Sequence, residues 1–201
     1  MDRPVLTKTY PEPPVDKREI LRYAGVKGES ADTSALLEDC LLEIGERLNY
    51  RVCYCEFQIE RRDNEINLGF AKTDSRLLAK NLENCHKIIL FCATVGVEMD
   101  RLISRYSSIS PARSVMLQAI GSERVEALCD EFCRDVTENL GEGFSSRPRF
   151  SPGYGDLPLE LQREIFLALD PSKRIGVTLG DNLFMSPSKS VTAIIGIKND
   201  K

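Results

Sequence analysis

Apolar residues recur at helical spacing in three long stretches of the chain and at strand spacing in segments between them. Leu36, Leu37, Cys40, Leu41, Ile44 and Leu48 form one continuous stripe behind the capping residues Asp32, Thr33 and Ser34, which predicts an amphipathic helix. A second helix is predicted from the Ser110-Pro111 start to about Leu140, with Val125, Leu128, Cys129, Phe132 and Val136 on its buried side and Gly141 at its end. A third runs from Asp156 to Leu169 along Leu157, Leu161, Ile165 and Leu169, and Asp170-Pro171 stops it. Shorter helices fit Asp16 to Tyr23, the residues after Asp74 or Ser75, and those after Gly96.

Val52 to Glu60 alternates instead, as do Ile66, Leu68 and Phe70. With Arg62-Asp63-Asn64 as the turn, these segments predict an antiparallel hairpin. His86 to Ala93 is an unbroken apolar run, the mark of a strand buried on both faces. Val177 to Leu179 and Leu183 to Met185 are short strand pieces, and Ser190 to Ile197 is a final strand. Residues 1 to 14 carry four prolines and no period, so they read as an extended arm. Helices and strands mixed without βαβ alternation predict one α+β domain over residues 1 to 201, built on a largely antiparallel twisted sheet.

Composition narrows the functional classes. A net charge of −4 offers no basic footprint for nucleic acid. No apolar run is long enough to span a membrane and no export signal opens the chain, so the expected location is the cytoplasm. Seven cysteines, an odd number, then read as reduced thiols. The close pairs, Cys53 with Cys55 and Cys129 with Cys133, lack C-x-x-C spacing and fall on one face of a strand and of a helix. Buried packing is the better reading of them than a metal site. His86, the one histidine, lies in an apolar strand and is read as a core or strand-end residue. Gly96, at a strand-to-helix turn, could cradle an anion, but Glu98 stands where the anion would go, so the turn is taken as structural.

Two loops carry the candidate chemistry. Arg149-Phe150-Ser151-Pro152-Gly153-Tyr154-Gly155 sets a cation and an aromatic ring among turn-forming residues. Some thirty residues on, Phe184-Met185-Ser186-Pro187-Ser188-Lys189-Ser190-Val191 forms a second loop. Arg149 presents a planar fork suited to a carboxylate, Gly153 permits positive φ or close approach, and Tyr154 is amphipathic. Taken singly, each loop is also explained as a turn.

An R-x-x-P-G-Y loop, a helix, and then M-x-P-x-x-S-V before a terminal strand resembles the activation domain of cobalamin-dependent methionine synthase. The resemblance is close from about Gly121 to Ile197 and thin before that. It implies S-adenosylmethionine bound on the two loops. Arg149 would be the carboxylate ligand, and Gly153 would bring the main chain close. Tyr154 would lie between the ligand and the corrin ring. Val191 would supply backbone hydrogen bonds, and Ser190 and Pro187 would shape that wall. Val191 is equally the start of a strand, and Met185 is better read as packing. Gly155 stands where proline is usual, which predicts a more mobile loop, and Ser186 stands where an aromatic is frequent. The acidic contact expected near the N-terminus has three candidates, Asp16, Asp32 and Asp39, and no motif chooses among them.

The motifs hold no nucleophile–base pair. This fits the reaction the resemblance implies, in which reduced cobalt is the nucleophile: cob(II)alamin takes one electron, and the cob(I)alamin formed takes the methyl group of S-adenosylmethionine. The expected role is a free-standing reactivation subunit docking on a separate cobalamin-binding methionine synthase, with reduced flavodoxin or ferredoxin as electron donor. An excised fragment of a longer protein is the other reading of the chain length. Reactivation of another corrinoid methyltransferase and a non-catalytic S-adenosylmethionine-binding module are the alternative functions.

Overall fold

The computed structural model describes residues 4–28, 30–62 and 65–200. In chain order the elements are β1 (Leu6–Thr9), α1 (Lys17–Tyr23), α2 (Ala31–Ile44), β2 (Arg51–Gln58), β3 (Glu60–Arg62), β4 (Glu65–Asn67) and β5 (Lys72–Thr73). There follow α3 (Arg76–Asn81), β6 (Cys85–Thr94), α4 (Glu98–Tyr106), α5 (Pro111–Glu138) and β7 (Phe144–Ser146). The chain ends with a 3-10 turn (Leu159–Leu161), α6 (Gln162–Leu169), α7 (Pro171–Ile175), β8 (Thr178–Leu179), β9 (Met185–Ser186) and β10 (Ser190–Asn199).

The main sheet has five antiparallel strands in the order β1-β2-β6-β10-β7. Its side chains alternate between two cores. On one face Val52, Phe91, Ala93, Ile195 and Ile197 pack with α1, α2, α4 and α5. On the other, Cys53, Cys55, Leu90, Cys92 and Ile194 pack with α3, α6, α7 and the segment from Phe150 to Leu161. The α+β architecture on an antiparallel sheet is the one the patterning predicts.

Several local expectations are corrected. The helix predicted from Asp32–Ser34 is capped two residues earlier by Ser30, whose hydroxyl accepts from Thr33 N at 3.2 Å. The arm is only partly free chain, because Leu6–Thr9 pairs with Thr7 opposite Cys53 and Lys8 opposite Val52. This displaces the predicted hairpin: β2 is flanked by β1 and β6, and only β3 and β4 pair across the turn. Of that turn, Asp63 and Asn64 lie outside the described residues.

The helix predicted from Asp156 starts at Leu159. The Asp156 carboxylate caps a different helix, accepting from the Ser75 hydroxyl at 2.5 Å and from Arg76 N at 2.8 Å at the start of α3. Asp170 does end α6, in a left-handed conformation, but Pro171 then opens α7 at its first turn, where its missing N–H costs nothing. No pattern announced β7. Three residues of exposed and half-exposed strand carry no apolar alternation, and they are held by pairing with β10.

Among the described residues no helix is long and apolar enough to cross a membrane. The seven cysteines are free thiols, six of them buried. His86 stands near the start of β6 with its ring 5.5 Å from that of Phe144, away from both loops.

Candidate functional site

β10 holds both loops. At its C-terminal end it pairs with β7, and the chain then follows the same edge through Arg147 N to Gly196 O (2.8 Å). Phe150 and Ile194 exchange both backbone bonds at 2.9 Å. After Phe150 the chain turns away: Tyr154 N donates to Ser151 O at 3.2 Å, and Gly153 N to Leu157 O at 2.9 Å. The second loop enters the same strand at Ser190. Between these two points Val191, Thr192 and Ala193 form a stretch of edge roughly 10 Å long at about 3.4 Å per residue.

Alternation of the ladder decides which groups face outward there. Lys189 O accepts from Val95 N on the β6 side, so the backbone of Val191 also turns towards β6. Ile194 bonds Phe150 on the outer side, so the N–H and C=O of Thr192 turn outward. The backbone role expected of Val191 therefore falls to its neighbour. Val191 instead offers a half-exposed side chain to the α5 face.

Arg149 and Phe150 leave this edge towards opposite faces. The Phe150 ring is buried in the α3–α6 core, and the Tyr154 ring meets it edge-on, with centroids 5.2 Å apart and planes at 81°. Tyr154 is itself 66% exposed, a stacking surface open to whatever approaches. Arg149 points to α5, where its two terminal nitrogens donate to Glu126 and Asp130, one turn apart on the helix. Its side chain is only 24% exposed and lies beside Cys129 and Cys133. Burial alone would favour the neutral guanidine, but the hydrogen bond with Asp130 and the nearby anionic groups outweigh it and raise the pKa above the ordinary arginine value. The loop carrying Arg149 is thus less exposed than its composition suggests.

The glycines of the first loop are conformational necessities. Gly153 has φ +83°, and a Cβ there would stand 3.3 Å from Leu159. Gly155 has φ +60°, and a Cβ would fall 2.4 Å from Leu77 Cδ1. This explains the departure from proline at that position: the chain passes tightly over α3, and Asp156 then pins it there. The expected extra mobility gives way to an anchored turn.

In the second loop the Ser186–Pro187 peptide is cis and Pro187 is buried. The Ser190 hydroxyl donates to Pro187 O (2.8 Å) and lies 2.9 Å from Thr94 Oγ1, so it braces the loop from inside. Ser188 N donates to Asp100 at 2.7 Å. Met185 packs partly buried against the α3–α6 core, as expected of a packing residue. Lys189 stretches across Gly121 to the Ser122 hydroxyl, 3.1 Å from its Nζ.

Glu126 and Asp130 also line an open cleft of about 450 Å³ between α1 and α5, together with Pro13, Pro14, Asp16 and Glu123. Of the three aspartates considered for the N-terminal acidic contact, only Asp16 stands there. Asp32 sits in the first turn of α2, and Asp39 is 3.5 Å from Arg113. Sequence reasoning missed Glu126 and Asp130 altogether. The available signal was an i, i+4 pair of carboxylates on the edge of a helix whose neighbouring positions Val125, Leu128 and Cys129 are core.

No family model and no curated protein matches the sequence. Among solved structures, the crystal structure of the MetH reactivation domain bound to AdoHcy matches with a TM-score of 0.69 and 17% identity. The match covers 99% of this chain and 80% of that one. The fold is that of the MetH reactivation domain. At this level of identity the likeness fixes the backbone arrangement, and the chemistry rests on the residues that this chain places at the β10 edge.

Proposed function

We propose that this chain binds S-adenosylmethionine along the β10 edge, between the Arg149–Gly155 loop and the Ser186–Ser190 loop. It presents the methyl group to a corrinoid carried by a partner, the cobalamin-binding subunit of methionine synthase. The observation that carries the reading is the charged group on α5. One guanidinium held between two carboxylates, beside the β10 edge and an exposed aromatic ring, complements a ligand with an ammonium, a sulfonium, a carboxylate and an adenine. The MetH reactivation domain, whose fold this chain shares, was crystallised with AdoHcy bound, and this adds support.

In this reading Glu126 and Asp130 receive the cationic groups. Arg149 turns its remaining N–H donors to the carboxylate, and Thr192 offers its backbone N–H and C=O to the adenine edge. Gly153 keeps the loop backbone close, Pro187 and Ser190 hold the second wall, and Tyr154 lies between the ligand and the corrin. The corrinoid supplies the nucleophile when bound, with an electron from reduced flavodoxin or ferredoxin. The chain itself orients the sulfonium and excludes water.

The test is a calorimetric titration of S-adenosylmethionine into the protein and into Arg149→Met, which keeps the apolar stem beside Cys129 and Cys133. Loss of a charge-assisted contact is expected to weaken binding roughly tenfold to a hundredfold. Binding unchanged in the variant would remove Arg149 from the site. Binding without methyl transfer to a reduced corrinoid protein would reduce the chain to a non-catalytic S-adenosylmethionine-binding module.

A further inference from the structure

The charge on α5 is unevenly distributed. Arg149 is shared by two carboxylates, so that group carries a net negative charge and would by itself repel an incoming carboxylate. One turn towards the N-terminus of α5 the situation reverses. The Lys189 ammonium is half-buried, and its hydrogen-bond partner is the neutral Ser122 hydroxyl at 3.1 Å. Desolvation lowers its pKa, and the carboxylate whose field opposes this, Asp100, is already engaged by Ser188. The other lysines whose ion pairs the structure records (Lys8, Lys17, Lys72, Lys87, Lys173 and Lys198) each have a carboxylate within 3.0 Å.

The path of Lys189 is built into the helix. A Cβ on Gly121 would stand 2.9 Å from both Cγ and Cε of Lys189 and 2.7 Å from Met99 Cγ, so only glycine lets the stem cross α5 at this point. The ammonium is thereby set on the turn of α5 that precedes Glu126, beside the second loop. A desolvated cation without a carboxylate partner is stabilised most by an anion arriving from outside.

We propose that Lys189 is a specificity-determining residue of the site: it supplies the net positive charge that reads the carboxylate of the bound amino acid. Arg149, already neutralised, orients that carboxylate while Glu126 and Asp130 take the cationic groups. A carboxylate lying over the Ser122–Glu126 turn, about 6 Å of helix, is within reach of both side chains. This inference rests on the reading of the site as one for S-adenosylmethionine.

Calorimetry with two ligands tests it, S-adenosylmethionine and its decarboxylated analogue, each against the wild-type chain, Lys189→Met and Lys189→Arg. Lys189→Met keeps the stem over Gly121, and thermal melting reports whether it folds. The expected result is a loss of about tenfold or more for S-adenosylmethionine in Lys189→Met, little change for the decarboxylated ligand, and recovery in Lys189→Arg. Equal losses for both ligands, or no loss for either, would overturn the role of Lys189 while leaving the site standing. If Lys189→Met does not fold, Lys189→Arg decides alone: it must keep the wild-type preference for the carboxylated ligand, and loss of that preference with the fold intact overturns the proposal. Failure of the wild-type chain to bind S-adenosylmethionine would sink the underlying reading instead.

Discussion

α5 carries two arginine–carboxylate groups less than two turns apart, and they have opposite fates. Arg124 is 1% exposed. It bonds the Glu123 carboxylate and donates to Pro13 O at 2.6 Å and Pro14 O at 2.7 Å, while Glu123 accepts from Asp16 N at 3.0 Å. The two charged side chains are themselves buried, and the group fastens the start of α1 to α5. Arg149 reaches α5 from another segment and meets two carboxylates that are 40% and 74% exposed, both of which line the cleft. The chemistry is nearly the same. A sealed group spends all its donors on the fold, whereas an open one keeps some for a ligand.

The sharpest way to test that contrast is Arg124→Met. It leaves Glu123 buried and uncompensated, and it is expected to cost about 3–5 kcal/mol in urea unfolding. Restoring most of that loss by adding Glu123→Leu would show that the unpaired charge, rather than lost packing, was the cause. Arg149→Met should behave in the opposite way, losing ligand affinity while changing stability by only about 1 kcal/mol, since Glu126 and Asp130 can hydrate. An equally unstable Arg149→Met would erase the distinction.

Gly121→Ala probes the ground between the two groups. Helix propensity gains about 1 kcal/mol from alanine, and crowding of Met99 and Lys189 offsets it, so the melting temperature should hardly move. Affinity for S-adenosylmethionine should nevertheless fall, because Lys189 is pushed from its path. A variant that binds normally would show that the path has slack.

The smallest effect concerns pH. The hydrogen bond from Lys8, with help from Tyr10, holds the Asp135 carboxyl below its ordinary value and ties β1 to α5. A depressed folded pKa contributes stability that is whole above the ordinary aspartate range and is lost as pH falls through the lowered value. Thermal midpoints of wild type and Asp135→Asn should therefore converge on acidification. Parallel curves would mean that the pair contributes nothing.

Much of this architecture was legible because burial imposes a period. The α2 and α5 stripes and the strand at Cys85–Thr94 all announce themselves through apolar residues. β1 and β7 do not, since edge strands held by backbone pairing need no apolar alternation. The two loops were legible through their glycines and prolines. What they rest on was not: Asp156 capping α3 from 80 residues away, and Glu126 and Asp130 gripping Arg149, are contacts that exist only once the sheet has brought distant segments together. Gly155 shows the same limit, for its φ of +60° is set where the chain passes over α3 and not by its neighbours in sequence.

The β10 edge lies where the two cores meet, with Arg149 reaching into one layer and Phe150, Tyr154 and Asp156 fixed to the other. A small molecule seated there acts as a rivet through both layers. Its binding free energy is then distributed over helices that never touch it, and amide-exchange protection should spread on saturation to α3 on one side of the sheet as well as to α5 on the other.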